Sequence, residues 1–267
     1  MMKEMDSGYN SCIQTFKSPH SLTPNGELLL MTQNKVAEIL LDLGCVQFNF
    51  DELFTYTSGI KSPIYTNCRL IISYPEERKI IADLMAKYIK HIIPNYKDYL
   101  ICGLISAGVP HAAWVAEILK IGLTYKREER KDYGLRTLIE GKKIKNIPMI
   151  IIEDHITTGS SIIREAKGLR EEGGIVSHAF SIFTYNLKKS EEISKQNGLT
   201  FHSLCSIGVL LDLAVKRKKI TIEQKIKYCN GEMDKYKIII FLKILLSVPA
   251  IYQHQFLNST LPLQFRN

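Results

Sequence analysis

The strongest constraint on the fold is a regular alternation of strand-like and helix-like segments from residue 95 to residue 235. Runs such as DYLICGLI and PMIIIED are almost entirely apolar, which is typical of strands that are buried on both faces. Segments such as SSIIREAKGLREE place apolar residues at helical spacing and end at glycine. This alternation predicts an α/β fold with a central, mostly parallel sheet flanked by helices.

The length and composition of the chain favour one folded domain. The chain has 267 residues, of which 45% are hydrophobic, and this is enough for a substantial core. We predict a single domain over residues 31–235, with a small N-terminal hood at about 44–70 and a core at about 75–232. Residues 1–30 lack the apolar stretch of a signal peptide and predict a poorly ordered extension. The tail at 236–267 has no assigned role, and its apolar part is shorter than the about 20 residues of a membrane span.

The chain is basic, with a formal net charge of +8. This charge suits an anionic partner, which can be nucleic acid, a phosphorylated metabolite or a membrane surface. The positive charge is spread along the chain without interleaved aromatic residues, which argues against a nucleic-acid interface. The six cysteines form neither a Cys-x-x-Cys pair nor a zinc-ligand spacing. We therefore expect buried, reduced thiols in a cytoplasmic protein.

The most informative motif is IIIEDHITTGSSI at residues 150–162. A buried strand is predicted to end in two carboxylates, Glu153 and Asp154, and a hydroxyl-rich turn follows at residues 157–161. Ligands of α/β sheets bind beyond the carboxyl ends of the strands, and the N–H groups of a helix start favour phosphate. A strand followed by a serine-capped helix would explain the turn. It would not explain two acids at a buried position, where an unpaired charge is costly.

This motif resembles the phosphoribosyl-pyrophosphate (PRPP) motif of the type I phosphoribosyltransferases. In that family an apolar run, two acids and a hydroxyl-rich loop follow one another, so the resemblance implies the type I phosphoribosyltransferase fold. Glu153 and Asp154 would face the ribose hydroxyls of PRPP. The loop would hold the 5-phosphate through Thr157, Thr158, Gly159, Ser160 and Ser161. His155 stands where the family has an aliphatic residue, and we interpret it as a packed core histidine.

Four further stretches resemble the orotate phosphoribosyltransferases within that family. SGIKSPIYTN at 58–67 is similar to their N-terminal hood, and CGLISAGVPHAAWVA at 102–116 to their pyrophosphate loop and following helix. YKREERKDYGLRTLIEG at 125–141 is similar to their catalytic loop, and FHSLCSI at 201–207 to their last strand. The resemblance covers about residues 32–232.

The resemblance implies transfer of the 5-phosphoribosyl group of PRPP to orotate, which gives orotidine 5′-monophosphate and pyrophosphate in UMP biosynthesis. Cations of the catalytic loop would neutralise the leaving pyrophosphate. The implied catalytic residues are Arg127, Lys131, Tyr133 and Asp154. The implied PRPP contacts are those of the PRPP motif together with Arg127, Lys131, Ser106 and Ala107. The implied orotate contacts are Tyr65, Thr66, Thr157 and Tyr185.

The resemblance also implies a cofactor and an assembly. Mg²⁺ would be held mainly through PRPP, with few direct protein ligands. The protein would be a homodimer in which the catalytic loop of one subunit reaches the active site of the other. Neither a nucleic-acid partner nor a membrane partner is expected.

Several positions depart from the family pattern and leave alternatives open. Thr57 and Glu128 stand where many members have lysine, and Tyr185 lies in FTYN, where many carry an arginine for orotate. Ser106 and Ala107 replace a tyrosine–lysine pair. One alternative is a type I phosphoribosyltransferase that uses a purine or another base. A second is a PRPP-sensing regulator that binds nucleic acid, and a third is a catalytically silent relative.

Overall fold

The computed structural model describes residues 24–55, 61–127 and 138–230, with side chains from residue 29 onward. The first helix, α1, spans Pro24–Asp42. The predicted extension at 1–30 is therefore wrong for its last residues, because ELLL before Met31 consists of strong helix formers that continue the helix. Residues 1–23 and the tail at 236–267 lie outside the described residues.

Four short strands after α1 form two antiparallel pairs that are separate from the main sheet. They are β1 (Val46–Phe48), β2 (Phe54–Thr55), β3 (Lys61–Ser62) and β4 (Ile64–Thr66). β1 pairs with β4, and β2 pairs with β3. A 3-10 helix at Cys68–Ser73 follows β4. The expectation that the segment at 54–67 lies apart from the main sheet is confirmed for its described residues.

The main sheet contains six strands of the described chain. They are β5 (Leu100–Gly103), β6 (Leu123–Lys126), β7 (Ile139–Glu140), β8 (Pro148–Ile156), β9 (Ile175–Thr184) and β10 (Thr200–Ser206). Their order in the sheet is β10–β9–β8–β5–β6–β7. All neighbours run parallel except β6 and β7, which run antiparallel at one edge. The predicted mostly parallel α/β sheet is confirmed.

Helices cover both faces of this sheet. They are α2 (Pro75–Ile92), α3 (Gly108–Leu119), α4 (Ser160–Glu171), α5 (Lys188–Gln196), α6 (Ile207–Lys216) and α7 (Ile222–Cys229). Alternate residues of β8 belong to different apolar clusters, because successive side chains of a strand point to opposite faces. Ile150 and Ile152 pack in the cluster that contains α1, α2, α3 and α6. Met149 and Ile151 pack in the cluster that contains α4.

Four cysteines, Cys45, Cys68, Cys102 and Cys205, are free and buried. Burial raises the pKa of the Cys45 thiol to about 11. The expectation of buried, reduced thiols is confirmed for these four cysteines. Among the helices described, none has the length and apolar character needed to cross a bilayer.

Candidate active site

The paired acids lie within β8, shortly before its carboxyl end. β8 continues through His155 and Ile156 because β9 extends equally far and pairs with both residues. The predicted end of the strand at Asp154 is therefore wrong. Glu153 and Asp154 are 6% and 4% exposed. Both line a cavity of about 520 Å³ at this edge of the sheet.

The two carboxylates differ in protonation. Burial raises the pKa of Glu153 to about 9, and the negative charge of Asp154 adds to this effect. Burial alone would also raise the pKa of Asp154, but hydrogen bonding and the charge of His155 hold it below its usual value. The backbone N–H of His155 donates to Asp154 Oδ1 at 2.7 Å, and Nδ1 of His155 lies 2.9 Å from the same oxygen. At neutral pH the pair therefore holds one proton, on Glu153.

The raised pKa of Glu153 gives the first testable prediction. The folded state keeps a proton that an unfolded glutamate loses near pH 4.5, so stability falls as pH rises from about 4.5 to about 9. Glu153→Gln is expected to flatten this dependence and to raise the free energy of unfolding near pH 8 by roughly 1–4 kcal/mol. Urea unfolding of the unliganded protein near pH 5 and near pH 8 measures both effects.

The exposed Glu171 provides the matched control, because its replacement by glutamine is the same substitution outside the cavity. Glu171→Gln should leave the pH dependence as it is in the unmodified protein. An unchanged slope in Glu153→Gln would show that Glu153 ionises normally in the folded protein.

The hydroxyl loop, residues 157–161, leads from β8 into α4. Gly159 has a φ of +79°, and a Cβ at this position would lie 2.4 Å from Phe201 Cε2, so glycine is required here. Thr158 Oγ1 and Ser160 Oγ lie 3.0 Å apart. The N-cap residue Gly159 has no side chain to cap α4, and only a long contact of 3.5 Å joins the Ser160 N–H to Thr158 Oγ1. The start of α4 can therefore accept an anion. The loop lines the cavity except at Ser160, which lines a neighbouring one.

The predicted orotate contacts Tyr65, Thr66, Thr157 and Tyr185 all line the same cavity. The Tyr185 hydroxyl donates to Thr66 Oγ1 at 3.0 Å, and this buried bond joins the end of β9 to β4. The ring centroids of Tyr65 and Phe54 lie 5.6 Å apart. The structure thus brings together the acids, most of the hydroxyl loop and one side of the hood.

Other predicted site residues are not part of this cavity. Ser106 and Ala107 lie between β5 and α3 and do not line it. Arg127 lies at the end of β6 and does not line it either; its Nη1 is 3.6 Å from Glu140 Oε1. Lys131 and Tyr133 lie outside the described residues, as do the departures Thr57 and Glu128.

Comparison with known proteins supports the same interpretation as the geometry of the site. No family model matches the chain. The chain is similar to the orotate phosphoribosyltransferase of Fusobacterium nucleatum, with 41% identity over 186 residues that cover 69% of this chain and 87% of the relative. The chain belongs to the orotate phosphoribosyltransferase family. The family member from Enterococcus faecalis is 39% identical over 198 residues, which cover 72% of this chain and 93% of the relative.

Solved structures agree with membership of the orotate phosphoribosyltransferase family. UMP synthase of Leishmania donovani superposes with a TM-score of 0.64 at 28% identity over 76% of this chain, which spans 42% of that protein. Orotate phosphoribosyltransferase of Aeropyrum pernix superposes with a TM-score of 0.56 at 22% identity, covering 67% of this chain and 98% of that one. The likeness to the Aeropyrum pernix protein shows the fold alone.

In this orotate phosphoribosyltransferase family member, sequence analysis did not assign three polar residues that line the cavity. Arg69, in the 3-10 helix after β4, lines it, as does Thr55 of the hood. The sequence does contain a signal for Arg69, because this cation follows the hood residues YTN after one cysteine. His155 also lines the cavity, with 29% of its side chain exposed. Its interpretation as a packed core histidine is wrong, because the strand extension carries it to the rim beside Asp154.

Proposed function

We propose that this chain transfers the 5-phosphoribosyl group of PRPP to orotate, giving orotidine 5′-monophosphate and pyrophosphate in UMP biosynthesis. One observation carries this proposal. A single cavity gathers the buried acids, four of the five residues of the hydroxyl loop and the hood residues Tyr65 and Thr66. Over 186 residues the chain is 41% identical to an orotate phosphoribosyltransferase.

The proposed roles follow from the chemistry of each group. Hydroxyls and N–H groups at residues 157–161 would bind the 5-phosphate. Ionised Asp154 would accept hydrogen bonds from the ribose hydroxyls, and protonated Glu153 would donate one. The ring nitrogen of orotate would attack the anomeric carbon as the bond to pyrophosphate breaks, through an oxocarbenium-like transition state. Arg127 and Lys131 would neutralise the departing pyrophosphate.

Mg²⁺ is the proposed cofactor, and the acids of the cavity fit it. Glu153 and Asp154 are the only acids among the described residues that line the cavity. Mg²⁺ would be held mainly through oxygens of PRPP and water, which would supply most of its about six ligands. Bound Mg²⁺ would add positive charge beside the pyrophosphate.

The proposed assembly is a homodimer in the cytoplasm with shared active sites. β7 is an edge strand, and β6 and β5 separate it from β8. The N–H of Arg127 donates to the Leu138 carbonyl at 2.8 Å, so the described chain stops and resumes at this edge. The position of β6 and β7 at this edge, away from β8, supports a catalytic loop that serves the cavity of a neighbouring subunit.

A panel of bases tests the proposed function against its alternatives. The protein is incubated with PRPP, Mg²⁺ and one base at a time, and nucleotide formation is measured for orotate, uracil, adenine and hypoxanthine. Nucleotide from orotate is expected. Nucleotide from adenine or hypoxanthine but not from orotate would identify a transferase for another base. Salt-sensitive RNA binding without any turnover would identify a regulator.

A further inference from the structure

Arg69 is the only lysine or arginine among the described residues that line the cavity. The cavity also contains the acidic side chains of Glu153 and Asp154, and its one histidine, His155, contacts Asp154. An anionic base that enters such a cavity needs a cation to offset desolvation and repulsion. Orotate carries a carboxylate, and uracil does not. The described part of the cavity therefore offers one place where that carboxylate can be neutralised.

The guanidinium of Arg69 is available for this role. Arg69 is exposed, and its Nε donates to Oδ1 of Asn67, the residue before the 3-10 helix, at 3.4 Å. Within the described residues, no carboxylate pairs with Arg69, and its Nη1 and Nη2 groups make no hydrogen bond. A guanidinium presents parallel N–H donors that match the two oxygens of a carboxylate.

The neighbours of Arg69 suit a planar base. Tyr65 lies on β4 just before the 3-10 helix, is half-buried and lines the same cavity. Its ring offers an apolar face for a pyrimidine. By contrast, the hydroxyl groups of Tyr185 and Thr66 form a buried hydrogen bond with each other, and neither side chain carries a charge. They can shape the cavity but cannot neutralise an anion.

Building on the proposed function, we propose that Arg69 binds the carboxylate of orotate and sets the preference for orotate over uracil. The pair would be a charge-assisted, two-point contact at the hood side of the cavity. PRPP would bind at the opposite side, on the hydroxyl loop and the acids. Arg69 therefore acts on the base and has little part in binding PRPP.

Steady-state kinetics of Arg69→Met test this inference. The KM for orotate is expected to rise about 10- to 100-fold, the typical loss for one hydrogen-bonded charge contact. The KM for PRPP and kcat at saturating orotate should change less than about threefold, since neither involves the lost contact. Any turnover of uracil should be unaffected, so selectivity for orotate falls. Arg69→Lys should recover part of the loss, because it restores the charge without the planar fork.

Lys61→Met is the matched control. Lys61 is an exposed cation of the same hood on β3, and it does not line the cavity. Its replacement should leave the KM for orotate unchanged, and equal unfolding midpoints would show that both variants fold. If the unmodified protein uses orotate but Arg69→Met keeps its KM, the inference is wrong while the proposed function stands. An equal rise in the KM for PRPP would also contradict it. Absence of orotate turnover in the unmodified protein would instead overturn the proposed function.

Discussion

Lys131→Ala is expected to lower kcat by a factor of about 10²–10³, the usual cost of removing one group that stabilises transition-state charge. Lys131 lies in the KREERKDYG stretch, whose cations would neutralise pyrophosphate as it leaves. The free energy of unfolding should not change, because the predicted role of Lys131 is catalytic. Turnover at saturating orotate and PRPP measures the loss.

Lys142→Ala is the control for this variant. Lys142 is an exposed lysine that follows β7 and does not line the cavity, so its loss should leave turnover unchanged. Full activity of Lys131→Ala would show that the catalytic loop is wrongly assigned. A mixture of inactive Lys131→Ala and Asp154→Ala chains should regain activity if subunits share sites, because one site of each mixed dimer would then be intact.

Gly108→Ala is expected to destabilise the protein by about 3 kcal/mol or more. Gly108 begins α3, and a Cβ at this position would lie 2.2 Å from the Ile152 carbonyl oxygen. That oxygen belongs to the backbone of β8, next to Glu153, and cannot move without disturbing the central strand. The added methyl group should therefore force α3 and the preceding loop away from the sheet. Urea unfolding measures the lost stability.

Gly198→Ala separates this clash from a general effect of replacing glycine. Gly198 has a φ of +60°, and a Cβ there would have no atom within 4 Å. Its replacement should cost about 1–2 kcal/mol through backbone strain alone. A Gly108→Ala variant no less stable than Gly198→Ala would show that α3 does not pack tightly against β8.

Periodicity in the sequence was sufficient to predict the sheet and its helices. The apolar face of α4, formed by Ile162, Ile163, Ala166 and Leu169, is buried as its helical spacing predicts. The residues PMIII, which were predicted to form a buried strand, form the first half of β8. These features are local, because each depends on how neighbouring side chains along one element share a face.

The features that sequence analysis missed depend on partners distant in the chain. β8 extends past Asp154 only because β9 offers hydrogen-bonding partners there. Tyr185 meets Thr66 across 119 residues of sequence. The cation that lines the cavity, Arg69, lies in a short 3-10 helix with no periodic signal of its own. Strand pairing and cavity lining arise from the packed fold, so a single motif cannot reveal them.

The central claim is that this cavity joins orotate to PRPP, and one measurement tests it most directly. The purified protein is mixed with orotate, PRPP and Mg²⁺, and the absorbance of orotate is followed with a parallel sample that lacks PRPP. A decrease in absorbance that requires PRPP is the predicted result. Constant absorbance from a folded protein that binds PRPP would contradict the claim.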